Sequence, residues 1–143
     1  MLTIENLDVD IGSIPILRDV SLTLGAGQMV GLIGRNGAGK TTLLRAIMGL
    51  LKAKSGAMIF DHAVLTKIAA HRRAHLGIGY MPEDRRLVPE LTAAENILIP
   101  VWSTDIVDYR DRLEWIYSLI PETREFQKRA ATSLSGGQQK LVA

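Results

Sequence analysis

Glycines at 34, 37 and 39, followed at once by Lys40, Thr41 and Thr42, make a stretch suited to holding polyphosphate. Gly34-Arg35-Asn36-Gly37-Ala38-Gly39-Lys40-Thr41 reads GxxxxGK[ST], a phosphate-binding loop. Glycine lets the backbone adopt angles and approach an anion more closely than a side chain would allow. The N–H groups then form an anion nest at the positive end of the helix that follows. Lys40 is expected to reach the β- and γ-phosphates, Thr41 to ligand Mg2+ through its hydroxyl, and Thr42 to contact the α-phosphate. A second stretch, Leu134-Ser135-Gly136-Gly137-Gln138, places a good N-cap serine before two glycines that bare the amides of a helix start. The ligand class these residues imply is a nucleoside triphosphate.

The elements around the loop must position it. Leu2 and Ile4, then Leu7, Val9 and Ile11, alternate with polar residues, and the phase slips by one at Asn6. That reads as a strand with a kink or bulge. Val20, Leu22 and Leu24 alternate again, with Gly12-Ser13 as a turn, so the first 25 residues read as an antiparallel pair. Met29-Val30-Gly31-Leu32-Ile33 is apolar without alternation, which predicts a strand buried on both faces. Leu43, Leu44, Ile47, Met48 and Leu51 recur at helical spacing after the loop. Ala57–Phe60 and Ile78–Met81 read as short strands, and Lys67–Leu76 as a helix. Thr92 and Glu95 form a capping box for a helix stopped by Pro100, and Leu113, Ile116, Tyr117 and Ile120 share one face of a helix from Tyr109 to Ile120. There are no repeats, low-complexity tracts or linkers.

The 143 residues suffice for one domain with a core. Seventeen Lys and Arg against fifteen Asp and Glu leave a net charge of +2, too even to imply nucleic acid. The absence of cysteine excludes disulfides and thiolate metal sites. No secretory signal is visible, and no apolar run approaches the ~20 residues that span a bilayer. His71 and His75 are four apart with no third ligand evident, so solvated or capping histidines are expected. Arg72, Arg73, Arg85 and Arg86 read as solvated faces or contacts to a partner. Trp102 and Trp115 read as packing or subunit contacts.

The two motifs together, with about a hundred residues between them, resemble the ATP-binding cassette (ABC) proteins. The likeness covers nearly the whole chain. It is nearest to the ATP-binding subunits of branched-chain amino-acid importers, through GRNGAGKTTLLRAIMGL at 34–50, GIGYMPEDRR at 77–86, Leu91-Thr92 with Glu95-Asn96, and AATSLSGGQ at 130–138. The resemblance implies an α/β P-loop NTPase core with an N-terminal antiparallel sheet and a helical insert. Its divisions would be a sheet and phosphate-loop part at 1–90, a helical subdomain at 91–133, and the signature motif at 134–143. It implies that Ser135, Gly136, Gly137 and Gln138 contact the nucleotide of a second ABC ATP-binding subunit, identical or different, in a head-to-tail dimer. It also implies membrane-spanning permease subunits and a cytoplasmic place on the inner face of the membrane. The implied function couples ATP binding and hydrolysis to import of a small polar solute such as a branched-chain amino acid. In the family, the region around Glu83 to Ile99 borders the groove that receives the permease.

The chain departs from the family pattern at three places. Glu83 stands where many relatives have a glutamine that ligands Mg2+; a carboxylate can still do so. Ile11 stands where an aromatic often stacks on adenine, which weakens the grip by about 1 kcal/mol and leaves base selectivity open. The strand ending Asp-Glu and the later histidine that the family uses for hydrolysis do not occur before Ala143. Met58-Ile59-Phe60-Asp61 is too near the phosphate loop to be that strand and reads as antiparallel. Without that strand, Val30 and Leu32 lose neighbours and the apolar side of the 40–50 helix is uncovered. This chain alone is expected to hydrolyse ATP negligibly, and to associate or aggregate through its bare edge. The alternatives are a soluble ABC ATPase of DNA repair or translation, or a non-catalytic remnant.

Overall fold

A computed structural model describes residues 1–84, 87–104 and 106–143; the expectations for Arg85 and Arg86 lie outside the described residues. The chain divides into two compact units, Met1–Ile78 and Gly79–Ala143.

The first unit is built on a four-stranded sheet of order β2-β1-β3-β4, from β1 (Leu2–Ile11), β2 (Ile14–Leu24), β3 (Ser55–Phe60) and β4 (Ala63–Val64). Every pairing is antiparallel. Leu2, Ile4, Leu7 and Val9 are buried, so the phase slip at Asn6 keeps the apolar side chains of β1 on one face. The slip is a bulge in which Asn6 and Asp19 take φ of 47° and 49°. Asn6 Nδ2 donates to Asp19 Oδ1 at 2.6 Å, and the Asp19 N–H donates to Asp8 Oδ1 at 2.8 Å. That N–H, chiefly, holds the Asp8 carboxyl below the usual carboxylate range. Helix α1 (Lys40–Ile47) lays Leu43 and Ala46 into a core with Ile4, Leu7, Val9, Leu17, Met58 and Leu65. Strand β3 is antiparallel, as its sequence predicts, and Asp61 at its end accepts from the Met1 ammonium at 2.6 Å.

Three expectations for this part of the chain need correction. Met29–Ile33 forms no strand, and Met29 and Ile33 are 99% and 95% exposed. A two-face-buried strand is made by its neighbours, and among the described residues no strand pairs with this segment. Val30 and Leu32 are accordingly exposed, and so is Leu44 on α1. Ile78–Met81 likewise forms no strand. The helix expected over Lys67–Leu76 is broken into a 3-10 turn at Leu65–Lys67, a four-residue α2 (Ala70–Arg73) and a 3-10 turn at Ala74–Leu76. Ile68 between them is extended.

The second unit carries α3 (Ala93–Trp102), α4 (Tyr109–Leu119), α5 (Glu122–Glu125) and α6 (Gly136–Val142). Ala93, Phe126, Leu134 and Val142 form its core, with Leu87 and Ile97 packed against them. The expected Thr92–Glu95 capping box forms. The Thr92 N–H, donating to Glu95 Oε2 at 2.8 Å, holds that carboxyl below its ordinary value. Pro100 does not stop α3, which runs to Trp102. A proline this near the end removes one ladder bond. The Pro100 carbonyl, in the last turn, accepts from the Ser103 and Thr104 hydroxyls at 3.1 and 2.7 Å. Asn96 is the buried polar centre of the unit: its Oδ1 accepts from Val88 N at 2.7 Å, and its Nδ2 donates to the carbonyls of Val88, Leu91 and Thr92. No helix among the described residues is long and apolar enough to cross a membrane.

Candidate functional site

Gly34, Arg35, Asn36, Gly37, Ala38, Gly39, Lys40, Thr41 and Thr42 form one continuous loop and helix start in the first unit. The loop turns at Asn36–Gly37, where the Ala38 N–H donates to Arg35 O at 3.1 Å. Gly39 then caps α1 in the left-handed conformation, φ 87°. A Cβ at Gly39 would lie 2.7 Å from Leu17 Cδ2, so β2 packs directly under the loop and a larger residue there would push the Leu17 side chain aside. Gly37 is also left-handed, φ 82°, but a Cβ there would meet nothing within 4 Å. The α-helical ladder of α1 opens with the Leu43 N–H donating to Gly39 O at 2.9 Å. The amides of Lys40, Thr41 and Thr42 precede that bond and face out of the helix N-terminus. Their partial charges and the helix dipole favour an anion there.

Lys40 curls back over this opening. Its Nζ donates to Gly34 O at 2.7 Å and to Arg35 O at 2.8 Å. The ammonium therefore rests on two neutral carbonyls of its own loop. An arriving phosphate oxygen carries a negative charge of its own, which adds a Coulomb attraction to the ammonium that a neutral carbonyl lacks.

Ser135 and Gly136–Gln138 lie in the second unit at the start of α6. Ser135 is the N-cap: its Oγ accepts from Gln138 N at 3.3 Å, and Gln138 Oε1 accepts from Ser135 N at 3.0 Å. Accepting through oxygen leaves the hydroxyl proton available for a further acceptor. Glu83, also in the second unit, is exposed in a turn. Thr41 at α1 and Glu83 offer hard oxygen donors of the kind Mg2+ takes. Among the described residues no group of three or more His, Asp or Glu could hold a metal ion by itself. His71 and His75 are exposed and belong to no such group. Ile11 ends β1, half-exposed, paired with Ile14 across the hairpin turn.

One charged residue departs from expectation. Arg73 is not a solvated surface cation but is 4% exposed, and burial lowers its pKa. Nothing in its local sequence distinguishes it from Arg72. The reciprocal role of Gln138, by contrast, is legible in the sequence, because Ser-x-x-Gln is itself a capping box.

The ABC transporter family model matches residues 17–143. High-affinity branched-chain amino acid transport ATP-binding protein BraG of Pseudomonas aeruginosa is 34% identical over 143 residues, covering 100% of this chain and 61% of that protein. Lipopolysaccharide export system ATP-binding protein LptB of Haemophilus influenzae is 33% identical, covering 99% of this chain and 60% of that protein. A solved dimeric ATP-binding cassette, in a post-hydrolysis state bound to ADP and Pi, is similar with a TM-score of 0.81 and 25% identity. That match covers 99% of this chain and 66% of the solved one. The chain thus spans less than two thirds of the length of these relatives.

Proposed function

This chain belongs to the ABC transporter family, and from that premise we propose that it is the ATP-binding part of a transporter's motor subunit. The observation that carries the reading is the resting contact of Lys40 with Gly34 O and Arg35 O, above the bare amides of α1. The loop from Gly34 to Thr42 binds the triphosphate. Its amides take the phosphate oxygens, Lys40 exchanges its two carbonyls for the β- and γ-phosphates, and Thr42 reaches the α-phosphate. Thr41 would hold a Mg2+ that neutralises phosphate charge, and Glu83 is carried as a second candidate ligand by the family resemblance.

Ser135, Gly136, Gly137 and Gln138 complete the nucleotide site of a second ATP-binding subunit. The Ser135 hydroxyl proton and the Gly137 amide are the donors offered. Two sites made this way require a two-fold dimer. Nucleotide binding closes it, and hydrolysis by the assembled protein reopens it and drives membrane-spanning permease subunits. The subunit would sit on the inner face of the membrane through those partners. The solute proposed is a branched-chain amino acid, supported by the likeness to BraG. The likeness to LptB supports a second reading, lipopolysaccharide export. Uptake of labelled leucine by cells carrying the complete transporter separates the two.

The binding claim is tested by titrating a fluorescent ATP analogue. Lys40→Ala is expected to abolish binding. An affinity unchanged by that substitution would refute the assignment.

A further inference from the structure

Helix α1 is held at both ends. At its start Gly39 rests on Leu17; at its finish lies Arg73, a buried cation whose hydrogen-bond partners among the described residues are all main-chain carbonyls. Arg73 Nη1 donates to Ala46 O at 3.0 Å and to Ile47 O. Its Nη2 donates to Leu65 O at 2.5 Å, and its Nε to Ile68 O at 3.1 Å. One planar fork therefore joins the last carbonyls of α1 to the 65–68 turn. Gly49, just past the helix, makes the room, since a Cβ there would lie 2.8 Å from Arg73 Cζ.

Three physical points go beyond simple packing. A cation at a helix C-terminus meets the negative end of the dipole, and here it adds a donor to Ala46 O, which already accepts from the Gly49 N–H, and to Ile47 O. A guanidinium that bonds in two directions fixes rotation of the helix as well as its height, which a single ammonium cannot do. Helix α1 is 8 residues long, about 12 Å at 1.5 Å per residue. Such a short rod carries a tilt at one end directly to the other. The extended residue at Ile68 breaks the expected helix and presents its carbonyl to Arg73, beside the Leu65 carbonyl of the preceding 3-10 turn.

We infer that Arg73 is a positioning residue for the phosphate loop: by gripping the far end of α1 it holds the near end ready for nucleotide. It also ties segment 65–76 energetically to that site. This rests on the nucleotide-binding reading for its affinity consequence, though not for its effect on the loop itself.

The test compares the 143-residue chain with Arg73→Gln, Arg73→Lys and, as a neighbouring exposed control, Arg72→Gln. Two quantities are read on folded protein: the Kd for a fluorescent ATP analogue with Mg2+, and hydrogen exchange of the amides at 37–43 without nucleotide. Arg73→Gln is expected to raise Kd about tenfold or more and to speed exchange at 37–43. Arg73→Lys recovers only part of both, and Arg72→Gln changes neither. If Arg73→Gln fails to fold, Arg73→Lys decides by the same two readings. A fall in Tm with Kd within twofold and exchange at 37–43 unchanged would make Arg73 merely structural and overturn the inference. If the unaltered chain binds no nucleotide, the functional reading falls, and exchange at 37–43 still decides the role of Arg73.

Discussion

Gly39→Ala places a methyl group where two separate costs can be counted. The residue sits at φ 87°, and an L-residue in the left-handed region costs roughly 1–2 kcal/mol. The new Cβ would lie 2.7 Å from Leu17 Cδ2, inside any normal carbon contact. Overpacking of this kind costs about 1–3 kcal/mol. Both costs fall on the loop conformation that receives phosphate. If the loop escapes by rearranging, the competent state becomes rare and affinity drops by the same factor. Together, at about 2–5 kcal/mol, they weaken nucleotide binding by about 30- to 4000-fold. Gly37→Ala, with φ 82° and no neighbour within 4 Å, bears only the first cost and should lose about 5- to 30-fold. Leu17→Val removes the δ-carbons that clash, so the double variant Gly39→Ala with Leu17→Val should recover the second cost and not the first. The assay is titration of a fluorescent ATP analogue, with circular dichroism to confirm folding. Binding by Gly39→Ala within threefold of the unaltered chain, or no recovery from Leu17→Val, would refute the reasoning.

Other expectations concern the second unit. Asn96→Leu strands the Val88 N–H, while the carbonyls of Val88, Leu91 and Thr92 keep the main-chain donors Leu91, Ala131 and residue 96. Each unsatisfied buried group costs about 1–3 kcal/mol, so a urea midpoint little changed would contradict the assigned bonds. Ser135→Ala removes the N-cap of α6 and should cost about 1 kcal/mol of stability in the same measurement. The Glu95 carboxyl is depressed in the folded state by the Thr92 N–H and hydroxyl. Its contribution is therefore complete above its unfolded pKa, about 4.3, and is lost as pH falls through the lower folded value. Glu95→Gln should remove that share of the acid dependence of α3, and a helix signal with the same acid profile in both proteins would count against it.

Local chemistry makes several elements readable from the sequence alone. The slip between Ile4 and Leu7 announces the bulge, because apolar side chains must share one face of β1. Thr92 with Glu95, and Ser135 ahead of two glycines, announce helix starts, because capping needs only residues three apart. The glycine turn at Asn36–Gly37 and the helix start at Lys40 belong to the same class. What escapes depends on neighbours distant in sequence. Met29–Ile33 has the composition of an interior strand, but a strand exists only where another offers hydrogen bonds. Pro100 looks like a stop, but so near the end of α3 it removes only one ladder bond, and the helix runs on to Trp102. Arg73 looks like Arg72, and only the arrival of the Ala46, Ile47, Leu65 and Ile68 carbonyls around it makes one cation buried and the other not.

The resting place of Lys40 changes what a measured affinity means. Because its ammonium already lies on Gly34 O and Arg35 O, ligand capture is an exchange of partners rather than the filling of a gap. Dissolved ions shield the attraction between ammonium and polyphosphate, while short dipolar contacts inside the loop are barely affected. Rising ionic strength should therefore tilt the lysine back onto its own carbonyls, making the loop an internal competitor whose hold on the side chain grows in relative terms as the buffer becomes saltier.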